Sequence, residues 1–143
     1  MWLYEMQSER TALISKLERR SSFHRITITI LSCDFGVWEH PKVTTVTDAR
    51  ATYLELCAGN NSKVLPSKKV AAFMQDLDAA FPDINIDPNP DSSPWSCGHT
   101  VSVGSMVMSC RWSVADNMED FIGRLASKHG LIFYNPQLDT VNF

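Results

Sequence analysis

The chain has 143 residues, 44% hydrophobic and 20% charged, the balance of one folded domain with a substantial core rather than a disordered chain. No apolar run approaches the roughly 20 residues a spanning helix needs, so no membrane partner is expected. The formal charge of -3 is uneven: residues 1–31 hold five Lys/Arg against three Asp/Glu, and residues 32–143 hold eight against thirteen, which disfavours nucleic-acid binding led by phosphate contacts.

Residues 1–31 read as an N-terminal extension. Ser8–Arg20 can form a helix with Leu13, Ile14 and Leu17 on one face, and Ile26, Ile28 and Ile30 alternate with Thr27 and Thr29 as in a strand. Charges interrupt every candidate signal-peptide core, and Glu5, Glu9 and Glu18 are out of place in a mitochondrial presequence. The four cysteines lie far apart with no CxxC pair. Reduced thiols and a cytoplasmic location are therefore expected.

Residues 32–143 read as the core domain. Cys33–Glu39 has the character of a first strand, stopped at His40-Pro41 because proline cannot donate to a ladder. Thr47 is the predicted N-cap of a helix over Asp48–Ala58, with Ala51, Leu54, Cys57 and Ala58 as its apolar stripe and Gly59-Asn60-Asn61 as its stop. Ser67 caps a second helix, Lys68–Phe81, in which Val70, Phe73, Met74, Leu77 and Phe81 recur at helical spacing. Pro82–Gly98 carries four prolines among Asp, Asn and Ser and reads as one long loop.

Two strands follow, His99–Val103 and Met106–Trp112, with Gly104-Ser105 as a type II′ turn signal. Ser113 and Asp116 form a capping-box pattern ahead of a third helix, whose Val114, Met118, Phe121, Ile122 and Leu125 make an apolar face. Gly130 ends it in the left-handed conformation, LIFY begins the next strand, and Gln137–Phe143 can add an edge strand. Setting one helix aside, the order is βαββαβ, the ferredoxin-like plan. The expected fold is thus α+β: a two-layer sandwich, βα(α)ββαβ, of a mostly antiparallel sheet with helices on one face and the first and third core strands central.

Local catalytic signatures are missing: there is no GxSxG, P-loop, HExxH or GxGxxG. Cys97-Gly98-His99 is the nearest approach to a metal cluster, but zinc takes four ligands and no second pair accompanies it, so no metal and no cofactor are expected. A hydrolytic set could be drawn from Asp34, His40 or His99 and a serine of the Ser92–Ser96 stretch, although such triads are recognised by geometry. The acidic run is more informative. Asp76, Asp78, Asp83, Asp87 and Asp91 fall within sixteen positions free of Lys and Arg. They read either as a solvated surface or as a field that attracts a basic partner. Trp95 has two readings of equal weight, an interface anchor or a lid folded onto the core. Arg111, opposite in phase to Trp112, points to solvent or to a partner on the open sheet.

The combination GVWE (36–39), VAAFMQDLDAAFPDI (70–84), SPW (93–95), RWSVADNMEDFIGRLASKHGL (111–131) and YNPQ (134–137) resembles a group of small, largely uncharacterised bacterial proteins. The resemblance spans about residues 33–137 and leaves the opening residues outside it. Small acidic α+β proteins of this kind are similar to the immunity proteins of polymorphic toxin systems. The resemblance implies a non-enzymatic binding module that occludes a toxin domain; the acidic run, Trp95 and the phase of Arg111 then make Asp83, Asp87, Asp91, Trp95 and Arg111 the expected contact residues, with no catalytic ones. Two alternatives stand beside it: a small hydrolase-like enzyme using the Cys97/His99 loop, and a structural or regulatory domain that dimerises through the N-terminal extension.

Overall fold

A computed structural model describes residues 32–40 and 45–142, and the expected N-terminal helix and Ile-Thr strand lie outside the described residues. The elements are β1 (Ser32–Trp38), α1 (Val46–Cys57), α2 (Lys68–Ala80), β2 (Thr100–Val101), β3 (Ser105–Arg111), α3 (Ala115–Lys128), β4 (Ile132–Asn135) and β5 (Thr140–Asn142). Short 3-10 turns occupy Pro90–Ser92 and Trp112–Val114. The sheet order is β2-β3-β1-β4-β5, the ferredoxin-like order with β5 added at one edge. Pairs β2–β3, β1–β4 and β4–β5 are antiparallel, with Thr100 opposite Val107, Val37 opposite Phe133 and Tyr134 opposite Val141. The α+β sandwich and its interior first and third core strands are as the sequence implies.

Strand alternation divides the core in two. Cys33, Phe35 and Val37 of β1, Met106, Met108 and Cys110 of β3, and Phe133 of β4 face one side, where α2 supplies Val70, Phe73 and Leu77 and α3 supplies Met118, Ile122 and Ala126. Trp38, Ile132 and Tyr134 face the other side and meet Ala49, Tyr53 and Leu56 of α1. So α2 and α3 form the expected helical layer, and α1 does not join them. The physical reason is legible in β1 and β4: Phe35–Trp38 and Ile132–Asn135 are buried without a break, and a strand buried on both faces needs cover on both.

Helix ends follow capping chemistry, with two departures. Ser67 Oγ accepts from Val70 N at 3.2 Å, as expected. The first cap lies two residues earlier than predicted: Thr45 Oγ1 accepts from Asp48 N at 3.1 Å, so α1 starts at Val46. Its buried face is Ala49, Thr52, Tyr53 and Leu56, chosen by packing on Trp38, Ile132 and Tyr134, and Leu54 is left 60% exposed with Cys57 and Ala58 also exposed. Ser113 does not cap α3. It lies in the 3-10 turn, and Val114 holds the cap position without a side-chain hydrogen bond. Gly130, at φ 67°, ends α3 as expected.

The β2–β3 turn also differs from the type II′ expectation. Ser102 N donates to Ser105 O at 2.9 Å, which places Val103-Gly104 at its centre, and Gly104 is not among the glycines at positive φ. Glycine is needed there for space: a Cβ would stand 1.8 Å from the Leu65 carbonyl oxygen. The adjacent bond from Ser67 N to Val103 O, 2.8 Å, ties the start of α2 to this turn.

Two side-chain devices finish the sheet. Where β4 ends, Gln137 continues its ladder with a side chain: Oε1 accepts from Asp34 N at 2.5 Å and Nε2 donates to Asp34 O at 2.7 Å. Asp139, at φ 53°, closes the β4–β5 turn in a conformation aspartate tolerates. Its carboxylate accepts from Tyr134 Oη at 2.6 Å and pairs with Arg50, pinning the turn to α1.

Candidate functional site

The long loop between α2 and β2 is a braced structure. It leaves α2 at Phe81, whose ring meets Phe121 of α3 edge-on at 5.1 Å, and Ile84 packs against the core. Asp83 organises the first bend. Its Oδ1 accepts from Asn85 N at 2.9 Å, its Oδ2 from His99 N at 3.0 Å, and its carbonyl takes Ile86 N and Asp87 N. One carboxylate thus ties the loop's beginning to its end. Burial raises the Asp83 pKa, but the two N–H bonds and the nearby His99 together outweigh it and hold the group below its ordinary value. Asp87 repeats the device locally, its Oδ1 accepting from Asn89 N at 2.8 Å.

The far end of the loop is zipped to β3. Arg111 N donates to Pro94 O at 2.7 Å, Ser96 N donates to Ser109 O at 2.9 Å, and Trp95 forms an isolated bridge with Cys110. Because β2 pairs Thr100 with Val107, the strand-like run is interrupted at Cys97-Gly98-His99, where extra residues bulge outward. Asn85 folds over that bulge: a methyl on Gly98 would come within 2.2 Å of its Nδ2.

Trp95 decides between the two readings it was given. It is 0% exposed, sits in the main core cluster, and its Nε1 donates to Phe81 O at 3.0 Å. It is the lid, and the anchor role is corrected: a side chain with no exposed surface cannot touch a partner. Arg111 is exposed, but its Nη2 donates to Pro90 O at 3.3 Å, so it braces the loop from outside. Asp83 is half-buried with both oxygens engaged, a scaffold first and a surface charge second. Asp87 is half-buried and Asp91 exposed. Sequence reasoning missed Ile86, which is 70% exposed at the tip. No sequence period marks it: alternation would put Ile84 and Ile86 on one face, whereas in this turn Ile84 is partly buried and Ile86 exposed.

The hydrolytic constellation is not assembled. Asp34 accepts from Ser109 Oγ at 2.5 Å, and it lies on the sheet face away from Trp95. Each loop serine spends its hydroxyl on backbone: Ser92 Oγ donates to Asn89 O, Ser93 Oγ accepts from Trp95 N, and Ser96 Oγ donates to Ser109 O. Cys97 is exposed on the bulge, while the His99 ring turns inward to meet Trp95 edge-on at 4.4 Å. Among the described residues no three His, Cys, Asp or Glu side chains lie close enough to hold a metal ion, and no helix is long and apolar enough to cross a membrane.

Fold and site together define an α+β sandwich that carries a braced acidic loop. Comparison with protein-family models, with curated proteins and with solved structures gives no match.

Proposed function

We propose that this chain is a non-enzymatic protein-binding module, an immunity-type protein acting in the cytoplasm that blocks a cognate toxin domain with the outer face of its acidic loop. One observation carries the reading. Ile86, 70% exposed, is followed by Asp87 and, five residues on, by the exposed Asp91, on a backbone already fixed by Asp83, Trp95 and Arg111. A loop held in its bound shape loses little conformational entropy on docking, so exposed apolar and acidic groups on it convert efficiently into affinity. The acidic field of the core domain favours a basic partner and speeds encounter with it. Toxin domains that act on nucleic acids or nucleotides present basic clefts, and an acidic plug with an apolar tip complements such a cleft.

In this reading the contact set is Ile86, Asp87 and Asp91, with Asp83, Trp95 and Arg111 as the frame that presents them. The experiment is a titration of the full chain against the products of the genes on either side of its own, assayed for toxin activity. Saturable 1:1 binding that abolishes toxin activity supports the reading; no binding at micromolar concentration refutes it.

A further inference from the structure

His99 is the one group in the loop's frame whose polar atoms are left over. Its backbone N–H is held by Asp83 and its ring lies against Trp95, yet Nδ1 and Nε2 are both buried and meet no hydrogen-bond partner among the described residues. Asp78 Oδ1, at the end of α2, is likewise buried and unpartnered. A neutral imidazole here leaves a donor and an acceptor unmatched, each at the desolvation cost of a buried polar atom. An imidazolium would bury a charge as well, which costs more.

The charged and titratable groups around the ring are few. Asp78 faces it from α2 and Asp83 from the loop, and both carboxylates favour the cation. From the bulge comes Cys97, whose thiol is exposed. From β3 comes Cys110, its thiol pushed up to about 12 by burial first and Cys33 second, so it stays neutral. Arg111 is turned onto Pro90 O. Burial outweighs the two carboxylates and lowers the proton affinity of the closed ring.

We propose that His99 is a pH-sensitive latch: the closed loop accepts the imidazole only in its neutral form, and proton uptake there goes with release of the loop. The ring covers Trp95, and the residue's own N–H is one of the two that Asp83 gathers, so a ring that leaves its seat loosens both braces. This rests on the reading of the loop as the docking surface, to which it adds regulation. In the open loop the imidazole has its ordinary pKa near ~6.5, above that of the closed state. Opening therefore binds a proton. The closed form is fully favoured above about pH 6.5 and loses ground as pH falls toward the closed-state value, by up to about tenfold per pH unit.

The test is amide exchange at Asn85, Ile86 and Asp87 in the full chain without any partner, compared between about pH 7.5 and 5.5 after correction for intrinsic rates, together with NMR titration of the His99 ring. Expected is a roughly three- to tenfold rise in loop opening, absent in His99→Phe, which keeps a flat ring against Trp95 and cannot titrate. An equal rise in the variant, or a ring that titrates at or above about 6.5, overturns the latch. Should His99→Phe not fold, the wild-type chain decides: ring titration and loop opening must share one midpoint. Because no partner enters the measurement, its failure leaves the docking reading standing, and loss of toxin binding leaves the latch result standing.

Discussion

Replacing Trp95 distinguishes a lid from an anchor by magnitude alone. The side chain is 0% exposed, within the main core. A tryptophan buries about 150–250 Å², and at about 25 cal/mol per Å² that corresponds to roughly 4–6 kcal/mol as an upper bound. Large-to-small changes at such sites cost about 3–5 kcal/mol, so Trp95→Ala should remove a large part of a domain stability of ~5–15 kcal/mol. Trp95→Phe keeps most of the apolar contact but leaves Phe81 O without its donor, and should cost about 1–3 kcal/mol. Urea unfolding followed by far-ultraviolet circular dichroism measures both without relying on the tryptophan that has been removed. If Trp95→Ala falls within about 0.5 kcal/mol of wild type, the range of ordinary surface substitutions, the lid assignment is wrong.

Other expectations follow from the same frame. Gly104→Ala should destabilise by about 1–3 kcal/mol in the same unfolding assay, because the new methyl meets the Leu65 carbonyl, which is backbone and cannot swing aside. Asp83→Asn weakens the pair of backbone bonds that closes the loop. Since the folded-state pKa of Asp83 is lowered, its contribution is present above its unfolded value near ~3.9 and lost as pH falls through the folded value. The variant and wild type should therefore differ at neutral pH and converge in acid; a constant difference would show that the charge is irrelevant. Thiol reagents should modify Cys57 and Cys97 quickly and reach Cys33 and Cys110 only on unfolding, as no cysteine is in a disulfide and the second pair is buried. Four fast thiols in the native protein would contradict the core packing.

How much of this was legible in the sequence depended on how local the determining interaction is. The alternation of Cys33, Phe35 and Val37 and the spacing of Val70, Phe73 and Leu77 placed β1 and α2 correctly, because burial on one face writes its period into the chain. The face of α1 was not legible. Tyr53 and Thr52 carry hydroxyls and weaken its stripe, and the decisive contact is with Trp38 and Tyr134, which are distant in sequence. By sequence Gly104 is a turn former, but its constraint comes from Leu65, a partner no turn rule names. In the candidate site, the acidic run coincides with the loop that the structure braces. Its roles were redistributed by long-range bonds: Asp83 to His99, Trp95 to Phe81, Arg111 to Pro90. Ile86, with no such bond to reveal it, became visible only once the backbone fixed which way the loop faces.

The proposed docking surface is tested most directly by one triple variant, Ile86→Ser with Asp87→Asn and Asp91→Asn. Asparagine at 87 can still accept from Asn89 N, so the loop keeps its shape while its tip loses apolar surface and charge. Calorimetric titration against the toxin domain that the proposed function calls for should then show affinity weakened by about 100-fold, roughly 2.7 kcal/mol, with the unfolding midpoint unchanged. Unaltered affinity in a correctly folded triple variant would contradict the assignment of this loop as the binding face.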